Sequence, residues 1–103
     1  MAQITVVYWR DIPAQVIVGK GRRAAKVQLS ERFEQAIDRA AMRSGASETD
    51  AYLADWRKVA EPEVPGPDAE VAAARAAELE AAWTPDRLRD AALAGGHETR
   101  DAA

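Results

Sequence analysis

Residues 3–18 read Gln-Ile-Thr-Val-Val-Tyr-Trp-Arg-Asp-Ile-Pro-Ala-Gln-Val-Ile-Val, and this stretch sets the fold class. β-Branched and aromatic side chains dominate it, which suits a pleated, half-buried surface. Alternation over residues 3–9 puts Ile4, Val6 and Tyr8 on one face and Thr5, Val7 and Trp9 on the other. Both faces are largely apolar, so a central strand, or one covered on both sides, is expected. Arg10-Asp11-Ile12-Pro13 reads as a turn. Residues 14–18 form a second strand, with Val16 and Val18 facing opposite to Ile17, and the short connection predicts an antiparallel hairpin. Gly19-Lys20-Gly21 ends it. A weaker third strand is expected over residues 24–29, where Ala25, Val27 and Leu29 alternate with Lys26 and Gln28.

Helical periodicity follows. Ser30 is a candidate N-cap for a helix reaching about Arg43, with Phe33, Ile37, Ala40 and Ala41 on one stripe and Gly45 just beyond its end. Ser47 and Asp50 resemble a capping box opening a second helix, whose stripe is Tyr52, Leu53, Trp56, Val59 and Ala60. Two helices so close in sequence predict an αα-hairpin packed on the sheet. Pro62, Pro65, Gly66 and Pro67 mark residues 61–67 as a linker. Residues 68–83 are rich in Ala and Glu, with Val71, Leu79 and Trp83 on a narrow stripe. Thr84-Pro85 restarts a helix that buries Leu88, Ala91 and Ala92 and stops at Gly95-Gly96. The expected fold is α+β: a two- or three-stranded antiparallel sheet, an αα-hairpin, and two Ala-rich C-terminal helices. The expected organisation is a compact unit over 1–60, a linker over 61–67, a helical extension over 68–96 and a disordered tail over 97–103.

The 103 residues contain no cysteine, which excludes disulfides and thiolate chemistry. Residues 1–9 lack a basic leader and Arg10-Asp11 interrupts the apolar run, so neither a signal peptide nor a membrane span is read, and the cytoplasm is the expected location. The net charge of -3 conceals an asymmetry. Residues 1–46 carry eight basic and four acidic side chains, and residues 47–103 carry six and thirteen. A basic front and an acidic back pair with each other or with another chain.

Catalytic candidates are few. His97 is the single histidine and lies in the expected tail, so no triad, metal or cofactor site is read. Glu78 and Glu80 point about 200° apart on a helix, and Glu70 and Glu78 are expected as solvated partners of Arg75. Two groups carry more interest. Lys20, Arg22, Arg23 and Lys26 surround a glycine-containing loop suited to a phosphate or an acidic surface, although the spacing is not that of a Walker loop. Tyr8, Trp9, Arg10 and Asp11 bring two aromatics, a cation and an anion to one turn, where Arg10 could clamp a carboxylate or phosphate or simply be paired internally. If the helices leave Trp9 or Trp83 uncovered, an apolar interface results.

The runs Thr5-Val-Val-Tyr-Trp-Arg-Asp-Ile-Pro-Ala-Gln-Val-Ile-Val, Glu31-Arg-Phe-Glu-Gln-Ala-Ile-Asp-Arg-Ala-Ala-Met-Arg and Asp50-Ala-Tyr-Leu-Ala-Asp-Trp resemble the small bacterial virulence factor domain family. The resemblance covers about residues 3–60 and leaves out the Ala-rich helices. That family includes stand-alone alphaproteobacterial proteins and a domain that accompanies HEAT-like repeats in larger conserved virulence factor C proteins. Its label comes from phenotype and implies no reaction or catalytic residue. The resemblance does imply an accessory role beside folate- and corrinoid-dependent one-carbon enzymes.

Three functions are thus expected in order. The first is a non-enzymatic interaction module, an accessory subunit or adaptor of a metabolic enzyme system, whose partner is another protein or a second copy. The next is a small anionic-ligand or cofactor-handling protein using Tyr8, Arg10 and Asp11. The last is weak nucleic-acid binding through Lys20, Arg22, Arg23 and Lys26, which the acidic back half opposes.

Overall fold

A computed structural model describes residues 2–43, 45 and 49–96. Its elements run β1 (Ala2–Trp9), β2 (Ile12–Val18), a 3₁₀ turn (Gly21–Arg23), β3 (Ala25–Gln28), α1 (Glu31–Arg43), α2 (Thr49–Ala54), β4 (Trp56–Val64), α3 (Asp68–Ala82) and α4 (Pro85–Leu93). The strands form one antiparallel sheet in the order β3-β2-β1-β4, so the fold is α+β.

The expected αα-hairpin is replaced by a fourth strand. The second helix stops at Ala54, and Trp56 to Val64 pairs with β1 along nearly its whole length, from Trp9↔Trp56 to Ala2↔Val64. The reason lies in β1. With only β2 beside it, one edge of an eight-residue strand would leave its amides and carbonyls unpaired. The expected linker is shorter too, because residues 61–64 belong to β4. Pro62 is tolerated there because β4 is an edge strand, where a missing N–H breaks no ladder. The capping-box serine, Ser47, and the tail from His97 onward lie outside the described residues.

Cross-strand partners share a face. Val6, Val16 and Val27 stand in one row, as do Ile4, Val18 and Ala25, and Tyr8 faces Pro13 across an irregularity in the register. Helix α3 covers this face with Val71, Ala72, Ala76 and Leu79. The other face carries Thr5, Val7, Gln15, Ile17, Lys58 and Ala60, none of them buried. At the β1–β2 turn, α1 packs against α4 and their buried residues join the same core: Phe33, Ala36, Ile37, Ala40 and Ala41 from one, Leu88, Ala91 and Ala92 from the other. Residues 68–96 therefore pack on the rest of the chain. Alanines at the α1–α4 contact let the helix backbones approach closely.

The charge asymmetry is met partly within the chain. Arg32 bridges Glu80 at 3.1 Å and also donates to the Glu80 and Trp83 carbonyls. Ser30, placed at the start of α1, donates its backbone N–H and hydroxyl to the same carboxylate rather than serving only its own helix. Burial alone would raise the Glu80 pKa, but these donors and Arg32 outweigh it and hold the carboxyl below its ordinary value.

Candidate functional site

The turn residues become a brace instead of an exposed patch. Trp9 is fully buried, and its Nε1–H donates to the Tyr52 carbonyl at 2.8 Å. Tyr52 stacks on it with ring centroids 5.8 Å apart, and Trp56 meets Tyr52 edge-on at 5.7 Å. Arg10 adopts a left-handed φ of 55° and turns back over the Trp9 ring, 4.7 Å from its centroid. Its guanidinium pairs with Asp55 at 3.0 Å and donates to the Gly95 carbonyl at 2.6 Å. Asp11 accepts a long contact from Arg57 at 3.5 Å, and its backbone N–H reaches the Gly96 carbonyl. Trp83 is buried as well. The apolar interface expected at Trp9 or Trp83 is therefore not exposed, and Arg10 takes the internal pairing.

Lys20, Arg22 and Arg23 lie in the exposed loop after β2, and Lys26 is exposed on β3. They sit at the far end of β2 from the Arg10-Asp11 turn, roughly 20 Å away at about 3.3 Å per residue. The structure thus separates the two expected groups. Asp68, at the start of α3, approaches the loop so closely that a Cβ on Gly19 would fall 2.6 Å from its carboxylate.

Two concave surfaces stand out. The first is a groove of about 360 Å³ between α1 and α4, lined by Arg39, Met42, Arg43, Arg89, Ala92 and Leu93. Met42 and Leu93 are 72% and 54% exposed, which is unusual for large apolar side chains lying together. The lining cations come from both helices: Arg39 stands three residues before Met42, and Arg89 four before Leu93. Arg43 donates to the Leu93 carbonyl at 2.9 Å, while Arg89 makes loose pairs with Asp86 and Asp90 at 3.6 Å. The sequence held a signal for this groove. Met42 lies 180° around the helix from Phe33, and Leu93 140° from Leu88, so neither belongs to its helix's buried stripe.

The second is a cleft between the β1–β4 surface and the junction of α3 with α4. Tyr8 and Asp11 line it together with Arg57, Arg75, Trp83 and Arg87. Arg75 is clamped by Glu61 through two 2.8 Å hydrogen bonds, with Glu78 a weaker partner at 3.4 Å. The Glu61 hydrogen bond raises the Arg75 pKa. Burial, and next the Glu61 charge, push the Tyr8 phenol up, so it stays protonated at neutral pH.

Fold and surfaces define a compact α+β domain with a cation-lined apolar groove and an arginine-rich cleft. The chain belongs to the virulence factor family, whose model matches residues 7–91. The match runs through α3 into α4, so the resemblance extends well beyond residues 3–60. No curated protein and no solved structure matches the chain. No described helix is long and apolar enough to cross a membrane.

Proposed function

We propose that this protein is a non-enzymatic interaction module, an accessory subunit or adaptor of a larger cytoplasmic enzyme system. It takes an acidic amphipathic segment of its partner into the α1–α4 groove. One observation carries the reading: Met42 and Leu93 are exposed side by side, among Arg39, Arg43 and Arg89. An apolar floor stabilises a partner's leucine-like anchors, and lining guanidiniums select carboxylates and set the approach rate. An acidic helix with apolar residues at i and i+4 has that chemistry.

The test uses a labelled helical peptide of alternating Glu and Leu turns, with binding read by fluorescence anisotropy. Binding is expected to weaken with salt, to fall about tenfold or more in Leu93→Asp, and to fall again in Arg39→Glu. Affinity that is absent, or unchanged by both substitutions, would overturn the reading. Sedimentation of the chain alone separates a second possibility: a dimer abolished by Leu93→Asp assigns the groove to a second copy.

A further inference from the structure

We infer that the cleft between the β1–β4 surface and the α3–α4 junction is a binding site for a small organic anion, a carboxylate or phosphate on an apolar body. This site is separate from the groove and does not depend on it. Its volume of about 520 Å³ is of metabolite size. Val59, Leu79, Ala82 and Trp83 line its apolar part, and its charged lining consists of three arginines and one aspartate.

The arginines are held in place before any ligand arrives. Arg57 lies over the Tyr8 ring, 5.0 Å from its centroid, and donates Nε–H to the Arg10 carbonyl at 3.0 Å. Arg87 stacks on Trp83 at 3.9 Å and donates to the Ala82 carbonyl at 3.0 Å. An aromatic face and a carbonyl fix each guanidinium's plane. The Arg57–Asp11 pair is long, and its side chains are 53% and 38% exposed. Such a pair adds little stability, so an incoming anion can exchange for it at small cost. Tyr8 lines the same cleft as Arg57, Arg75 and Arg87. A protonated phenol then adds a neutral donor beside the cations. Arg75, committed to Glu61, supplies background charge and shape.

Phenyl phosphate and benzoate serve as probes, with inorganic phosphate and phenol as controls, in a ¹H–¹⁵N NMR titration of the full chain. Expected shifts centre on Tyr8, Arg57, the Trp83 indole and Arg87. Arg57→Gln and Arg87→Gln should each weaken binding about tenfold or more. Leu93→Asp, in the groove, should bind as the wild type does. Tyr8→Phe removes only the hydroxyl, so it tests the site should an arginine variant fail to fold; a loss of about threefold to tenfold is expected. Whichever of phenyl phosphate and benzoate binds more tightly identifies the anion. Three results would overturn the inference: no saturable shift with either probe, shifts centred on Met42 and Leu93, or undiminished binding in Arg57→Gln. Equal affinity for inorganic phosphate and phenyl phosphate would overturn the role of the apolar part of the lining.

Discussion

Replacing Trp9 by alanine separates a core tryptophan from an interface tryptophan. The indole is fully buried, stacked on Tyr52, hydrogen-bonded to the Tyr52 carbonyl, and covered by Gly96, where an added Cβ would meet Cζ3 at 2.8 Å. Truncating a buried tryptophan costs about 3–5 kcal/mol, and the abandoned carbonyl adds about 1 kcal/mol. A domain of this size has about 5–15 kcal/mol in total. W9A should therefore lose about a quarter or more of its stability, with Tm falling by roughly 15–50 °C. Trp9→Phe keeps a stacked ring but loses the N–H donor and part of the volume, so about 1–2 kcal/mol is expected. Urea unfolding followed by far-UV circular dichroism measures both without relying on tryptophan emission. A W9A unfolding free energy within about 1 kcal/mol of wild type, at unchanged slope, would refute the reasoning and return Trp9 to the surface. The same measurement guards functional work, since partner loss in W9A would report unfolding rather than contact.

Gly96 carries a φ of +95° and lies against both Trp9 and Arg10, so Gly96→Ala combines backbone strain with overpacking; about 2–4 kcal/mol of destabilisation is expected in the same urea assay. Gly21→Ala is the control, with a φ of +67° but nothing within 4 Å of the new Cβ; about 1 kcal/mol is expected, and equal costs for the two would contradict the packing at Trp9. Glu80 predicts a pH dependence: its folded pKa is depressed, so its stabilisation is complete above the ordinary carboxylate value and disappears as pH falls through the lower folded value. Glu80→Gln should lower stability at neutral pH and flatten the acid limb of stability against pH, whereas coincident acid limbs would count against the Ser30–Arg32 clamp.

The first two strands and the α1, α3 and α4 helices were legible because local period decides them. Val16 and Val18 are buried while Ile17 is not, as a period of two requires. Phe33, Ile37, Ala40 and Ala41 are buried at helical spacing, and Thr84 caps α4 by accepting from the Arg87 N–H at 3.2 Å. The β4 segment was misread because Tyr52, Trp56, Val59 and Ala60 also fit a helical stripe. Deciding against a helix required knowing that the far edge of β1 lacked a partner, which is non-local information. Trp9 posed the same difficulty. Alternation correctly put it opposite Tyr8, but whether its face is covered depends on Tyr52 and Gly96, which lie 43 and 87 residues further along the chain. Of the expected turn residues, Tyr8 and Asp11 do line a cleft, while Trp9 and Arg10 hold the frame around it.

Both proposed surfaces depend on the Ala-rich helices that the sequence presented as an extension. Helix α3 buries Val6, Val16 and Val18, so without it the sheet would expose an apolar face of the kind that drives association. The α3–α4 junction provides Trp83 and Arg87 to the cleft, and α4 provides Arg89, Ala92 and Leu93 to the groove. Alanine suits this arrangement physically: it is the strongest helix former, and its small side chain lets α4 lie close against α1. Close approach leaves little room for long side chains between the helices. Met42 and Leu93 accordingly stand at the surface on the edges of the contact, where the arginines surround them. The exposed pair follows from its place off the buried stripe of each helix, and the family match takes in α1 and α4 as far as residue 91, short of Ala92 and Leu93.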